Sequence, residues 1–312
     1  MIFLDTNVLP RVGSLKNVLM SAVLKVASHN QLKVYISEVV LEESVNIRKD
    51  LASEAIQKLQ EAFNQASKVM DLESIYIPDL QEITAAWRAE LEAAFEVVSV
   101  EGTQAVEALK REAARKRPAR EGKGARDSAI WLSMLDSASS YNAPVHFVSD
   151  NKDDFADTAD AKRLHPDLLE DCKARAVEVI YHRNLDSLLD ALSSKVTTVP
   201  ERENINSALP VLLEALFDIG LSQEISEKYH ADRGFLIDVR VSSVRKIKSY
   251  QVEDTVLSLV DLHLEVDTEL ADEADPPKVP LSVGCRSWIQ LDSKTGSVVT
   301  IDVEEITTLR AR

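Results

Sequence analysis

Only two cysteines, Cys172 and Cys285, occur in 312 residues, far apart and in unrelated contexts. That excludes a thiolate zinc cluster and a disulfide framework, and makes a reducing compartment the natural setting. Glycine is scarce as well, at eight residues, and none of them falls into a nucleotide-binding fingerprint. Tryptophan is limited to Trp87, Trp131 and Trp288. Without basic and aromatic residues interleaved there is no stacking motif for single strands, and the three fit buried stripes instead. Positive charge is also short: 36 Lys and Arg against 52 Asp and Glu leave a net charge of -16. This argues against coating nucleic acid over the whole surface, while leaving room for one positive cleft. No apolar run approaches membrane-spanning length. The chain opens Met-Ile-Phe-Leu-Asp, with neither a basic stretch nor an apolar signal core. A soluble, cytoplasmic protein with no membrane partner is the expectation.

A hydrophobic content of 45% suffices for one sizeable core and a second, smaller module. The apolar run 2–4 ends at Asp5-Thr6-Asn7, and 15–28 has helical spacing. A second short apolar run at 34–36 leads into a helix carrying Val39, Val40, Leu41, Glu42 and Glu43. This alternation predicts an α/β domain with a parallel sheet, whose functional side chains collect beyond the carboxyl ends of the strands. Segments 51–70, 80–95 and 103–115 read as helices, with Pro78 between the first two; Arg117-Pro118 and Gly122-Lys123-Gly124 read as a loop. Arg126-Asp127 then enters a helix at 128–136, where exposed amides stabilise a carboxylate. A strand at 145–148 ends in Ser149-Asp150-Asn151-Lys152-Asp153-Asp154, and 177–181 and 185–192 give a last strand and a closing helix. The first domain is expected to span 1–199.

Residues 200–312 have a different organisation: a helical lead-in at 206–229, strands at 235–241, 244–250, 256–266, 287–291 and 298–303, and a loop at 272–277. A β-sandwich or small barrel is the expectation for this β-rich accessory domain. No residue cluster there specifies a second reaction. It reads as a surface that limits substrate access, binds a protein partner or builds a homo-oligomer.

The chemistry-bearing set is Asp5, Glu43, Asp127 and the segment holding Asp150, Asn151 and Asp154. Oxygen donors suit Mg²⁺ or Mn²⁺, and neighbouring carboxylates tolerate one another when a hard cation neutralises their repulsion. Each acid alone has a plainer reading: a strand-end turn, an exposed helical glutamate, a helix start, a loop. Their joint placement after different strands and at helix starts favours a common site. Lys110, Arg111, Arg115, Lys116, Arg117, Arg120, Lys123 and Arg126 form a basic tract abutting Asp127, suited to phosphate contact, or else a solvated helix face and loop. Lys152 is a further phosphate-contact candidate, whereas His146, inside an apolar strand, is expected to be buried.

Four segments carry a resemblance to a known family: Phe3-Leu4-Asp5-Thr6-Asn7-Val8-Leu9, Glu38-Val39-Val40-Leu41-Glu42-Glu43, Lys123-Gly124-Ala125-Arg126-Asp127 with Ile130-Trp131, and Phe147-Val148-Ser149-Asp150-Asn151-Lys152-Asp153-Asp154-Phe155. The chain resembles a PIN-domain ribonuclease, of the bacterial PIN-like branch with an inserted helical region and a KGxRD motif. The likeness covers most of 1–155 and extends to about 195. It implies a three-layer α/β fold with a central parallel sheet and Mg²⁺- or Mn²⁺-dependent cleavage of RNA, leaving 5'-phosphate and 3'-hydroxyl ends. Asp5, Glu43 and Asp127 would be the metal-binding acids, with Glu42 the alternative to Glu43 if the helix register shifts by one. Asn7 and Ser149 look like supports for acids or substrate, with Lys123, Arg126 and Lys152 toward the substrate. Ser149-Asp150-Asn151 departs from the family pattern by placing asparagine where an aspartate is usual. Asp150 or Asp154 would then supply the missing charge, or Asn151 would coordinate through its carbonyl. Other readings are a PIN-like module that binds RNA or protein with little or no cutting, a DNA-processing metal nuclease and, less naturally for a long two-domain chain, a toxin.

Overall fold

The computed structural model describes residues 1–74, 76–231, 234–270 and 278–312; the loop expected at 272–277 lies outside them. By their contacts these residues form two compact units, one of Met1–Leu15 with Ala27–Leu188, the other of Lys16–Val26 with Leu189–Arg312.

The elements of the first part of the chain run β1 (Ile2–Leu4), α1 (Val18–His29), β2 (Val34–Ser37), α2 (Glu38–Ala66), α3 (Leu80–Ala94), β3 (Glu96–Val98), α4 (Gly102–Ala113), α5 (Ala125–Tyr141), β4 (Val145–Val148), α6 (Lys152–Phe155), α7 (Pro166–Arg175), β5 (Val179–His182) and α8 (Leu185–Leu192). Among the described residues β1 to β5 make a parallel sheet in the order β3-β2-β1-β4-β5. Parallel strands are joined by helical crossovers, so the central ones are covered on both faces and read as unbroken apolar runs. Ile2, Phe3 and Leu4 are accordingly wholly buried, as are Val145, Phe147 and Val148 of β4. Trp131 of α5, Phe147 and Phe155 pack ring on ring, with centroids 4.9 to 6.1 Å apart. Each such fully buried side chain contributes roughly 1.5–3 kcal/mol.

Strand order decides where function sits. From β1 the chain moves outward through β2 to β3, then returns to the other side of β1 for β4 and β5, so the order reverses between β1 and β4. Side chains just past the carboxyl ends of these two strands face the crevice where open α/β sheets bind ligands. The residues at those strand ends are Asp5 and Ser149, both of them buried.

Several boundaries differ from expectation. The 128–136 helix begins at Ala125 and ends at Tyr141, which places Asp127 inside its first turn. The helix through Glu43 runs unbroken to Ala66, and the expected 177–181 strand runs Val179–His182.

In the second part, β6 (Ser194–Lys195), α9 (Arg202–Ser207), α10 (Leu209–Asp218) and α11 (Leu221–Tyr229) precede β7 (Gly234–Val252), β8 (Thr255–Leu270), β9 (Lys278–Asp292) and β10 (Val298–Ala311). The strands form an antiparallel half-barrel in the order β10-β9-β8-β7-β6. Among the described residues it stays open, with β10 and β6 at its edges. The second layer is helical rather than a second sheet: Ile205, Leu212, Leu216, Leu221 and Ile225 share one core with Val260, Leu262, Leu264, Val283 and Ile289. A sandwich is thereby replaced by helices on a curved sheet. The single helix expected at 206–229 is three: Gly220, with φ +79°, parts α10 from α11, and Ala208, with non-helical backbone angles, parts α9 from α10. The strands expected at 235–241 and 244–250 are one, β7, whose register shifts between Val241 and Ser243 mark an irregularity rather than an end. Residues before 199 already belong with this unit, since Ser194 and Lys195 pair with Gln251 and Tyr250 of β7.

No described helix is long and apolar enough to cross a membrane.

Candidate active site

Asp5 ends β1 and caps the 3-10 turn Thr6–Val8, accepting a hydrogen bond from the Thr6 amide at 2.7 Å. Its other oxygen accepts from Ser149 Oγ at 2.5 Å and Asn7 Nδ2 at 3.2 Å. Asn7 also takes the Asp150 amide on its side-chain oxygen, at 3.0 Å. Asn7 and Ser149 thus lock Asp5 and join the ends of β1 and β4. Asp5 is 3% exposed, and its burial outweighs these donors, pushing its pKa up to about 6.

Glu43 owes its direction to the start of α2. Ser37 caps that helix, its Oγ accepting from the Val40 amide at 3.2 Å. Glu43 Oε2 then accepts from Thr6 Oγ1 at 2.7 Å, and Oε1 from Arg126 at 2.5 Å. Glu42, a hundred degrees round the helix, is held by Arg88 at 2.7 Å on both oxygens. The register therefore puts Glu43, not Glu42, at the site.

Asp127 is aimed by the glycine loop. Gly124 has φ +109°, and a Cβ there would stand 3.2 Å from both Ala119 Cα and Asp127 Oδ2. No side chain caps α5 at Gly124; the Ala125 amide instead donates to Glu112 Oε2 at 2.8 Å. Burial first, then the charges of Asp5, Asp154 and Glu43, push the Asp127 pKa up to about 7, with Arg126 pulling the other way. Acids from β1, α2, α5 and α6 thus share one electrostatic environment.

Beyond β4 the acids divide. Asp154 turns toward the cleft, held by Asn151 Nδ2 at 2.9 Å and Arg120 Nε at 3.2 Å. Its turn is fixed by buried Arg117, which donates to the carbonyls of Asp153 and Asp154 at 2.7 and 3.0 Å. Asp150 points elsewhere, to Arg183 at 3.1 Å, and is not brought to the cleft; nor is exposed Lys152. The cleft itself measures about 570 Å³, with Glu43, Asp127, Asn151, Asp153 and Asp154 on its wall beside Arg120, Lys123 and Arg126; buried Asp5 is not on that wall and is tied to it through its charge on Asp127.

The basic tract splits by burial. Arg111, 4% exposed, makes a paired contact with buried Asp171 at 2.6 and 2.9 Å, which also takes Trp131 Nε1 and Lys116. Arg111 and Arg117 are therefore part of the scaffold, and Arg120, Lys123 and Arg126 face the cleft. His146 is half-buried, its Nδ1 3.0 Å from His182 Nε2. Trp131, Trp87 and Trp288 are all buried, as their helical and strand stripes predict. Sequence reasoning missed Thr6, Glu112 and the Arg120–Asp154 pair. No pattern announces them, because each acts through a partner 13 to 37 residues away.

Among the described residues, no three His, Cys, Asp or Glu side chains converge tightly enough to hold a metal ion as they stand. The donor chemistry nevertheless fits a hard divalent cation. Every candidate is an oxygen ligand, and burial first, then neighbouring carboxylates, raises the pKa of Asp5 and Asp127, a cost to their charged forms that a bound cation would offset.

No curated protein and no solved structure matches the chain. A family model described as a PIN domain matches residues 2–155, the stretch that runs from β1 through the acids of α6. With the five-stranded parallel sheet and its flanking helices, this match supports a PIN-like α/β domain in the first part of the chain, generally a nuclease fold.

Proposed function

We propose that this PIN domain is a ribonuclease that hydrolyses RNA phosphodiester bonds endonucleolytically with Mg²⁺ or Mn²⁺, and that Lys123-Gly124-Ala125-Arg126-Asp127 is the mark of its branch. The observation that carries the reading is the shared field of Asp5, Asp127, Glu43 and Asp154 beside a cleft that also holds Arg120, Lys123 and Arg126. Asp5, Glu43 and Asp127 would hold the ion, with Asp154 or the Asn151 carbonyl completing the set. When bound, the ion supplies charge that lowers the pKa of water and offsets negative charge developing on the phosphate. Asn7, Ser149 and Thr6 keep Asp5 and Glu43 in place, so geometry is set before substrate arrives. Lys123 and Arg126, exposed at the cleft, meet phosphate oxygens and orient the strand. Products carry 5'-phosphate and 3'-hydroxyl ends.

A second reading has an observation of its own. Asn151 stands where an acid is expected and spends its amide on Asp154, which favours a module that binds RNA with little cutting. One assay separates the two: labelled single-stranded RNA, duplex RNA and DNA incubated in Mg²⁺, Mn²⁺ or EDTA with the parent protein, Asp5→Asn and Asp127→Asn. Metal-dependent RNA cutting by the parent alone is expected. RNA binding without cutting selects the second reading, DNA cutting changes the substrate class, and undiminished cutting by both variants removes the assigned site.

A further inference from the structure

Both oxygens of Glu43 are already engaged, one by the Thr6 hydroxyl and the other by Arg126 at 2.5 Å. A neutral hydroxyl leaves a carboxylate its charge, but a guanidinium cancels it. Arg126 is also an odd residue for its position. It lies in the first turn of α5, where the helix dipole disfavours a cation. Its side chain is 73% exposed, so the ion pair contributes little to holding the fold together. The one strong local reason for a guanidinium there is the acid it neutralises. Arg120 on Asp154 repeats the arrangement across the same cleft.

We propose that Arg126 is a stand-in cation: it occupies Glu43 while the cleft is empty, is displaced when a divalent ion binds, and is thereby released toward a substrate phosphate. The inference rests on the metal-dependent reading above and adds an order of events to it. A guanidinium and a dication on Glu43 would repel each other at that separation, so each weakens the hold of the other. An arginine that is always charged, with a planar fork matching a phosphate, suits the second task as well as the first. Lysine at 126 would keep the charge but lose the fork.

The test is a calorimetric titration of Mn²⁺ alone into the full chain, as parent, Arg126→Gln and Arg126→Lys, with RNA cleavage measured alongside. Arg126→Gln is expected to bind Mn²⁺ about fivefold more tightly, the scale of one exposed ion pair removed, while cutting RNA more slowly than the parent. Arg126→Lys is expected to stay near the parent in Mn²⁺ affinity. Equal Mn²⁺ affinity in parent and Arg126→Gln overturns the stand-in role, and metal-dependent cutting by the parent in that experiment leaves the nuclease reading intact. Tightening by Arg126→Lys as great as by Arg126→Gln makes the effect one of shape and also overturns it. Absence of both Mn²⁺ binding and cutting in every protein overturns the stand-in role and the nuclease reading together.

Discussion

Replacing Asp127 by asparagine is expected to make the metal-free protein more stable. The carboxyl is held at a pKa of about 7 against a reference of 3.8. Below 3.8 both the folded and unfolded chains are protonated there and nothing is lost. Between 3.8 and 7 the unfolded chain ionises while the folded one resists, so the unfolded state binds fewer protons and stability falls as pH rises. Above 7 the full penalty is present. A shift of this size corresponds to about 4 kcal/mol, and partial access to water reduces the figure to roughly 2–3 kcal/mol. Urea unfolding in EDTA at pH 4 and pH 8 checks it. Parent and Asp127→Asn should agree at pH 4, and the variant should be the more stable by that margin at pH 8. Comparing the two proteins at each pH cancels His182, which burial holds at about 4 and whose protonation in the unfolded chain below 6.5 has the opposite slope. A variant equal to the parent or weaker at pH 8, with EDTA present, would refute the claim that burial and neighbouring acids disfavour the charged form of Asp127.

Three further substitutions separate scaffold from site. Gly124→Ala is expected to cost about 1–2 kcal/mol for its left-handed backbone alone, and to slow cutting because the added methyl presses on Asp127 Oδ2; denaturation midpoints and cleavage rates measure the two effects. Arg111→Met strands buried Asp171 and is expected to destabilise by about 3–5 kcal/mol, which rules Arg111 out as a substrate contact if thermal unfolding drops accordingly. Glu42→Gln and Glu43→Gln form a matched pair: the first should leave Mn²⁺ binding unchanged, while the second weakens it, as calorimetry would show.

Much of the α/β part was legible because its strands are short, apolar and each followed by polar residues, as at Leu4-Asp5 and Val148-Ser149. What escaped is non-local. The strand Glu96–Val98 is only three residues long and gains its partner from Tyr35, Ile36 and Ser37, so nothing in its own composition announces it. Arg111 and Arg126 look alike in a basic tract, yet one is 4% exposed against Asp171 and the other is 73% exposed in a cleft. That difference comes from where the partner acid lies, Asp171 on α7 for the one and Glu43 on α2 for the other, not from residue type. Asp150 and Asp154 were interchangeable on paper. The side chain of the first is held by Arg183, and that of the second by Asn151 and Arg120 at the cleft. In the half-barrel, β7 was split because bulges interrupt the alternation that marks a continuous strand.

The hydrogen bond from Ser149 to Asp5 joins residues 144 positions apart. Asp5 therefore lacks part of its hydrogen-bond set until β4 has paired beside β1. A chain cut short before residue 149 would keep the amino-terminal motif but lose the hydroxyl that orients its first carboxylate.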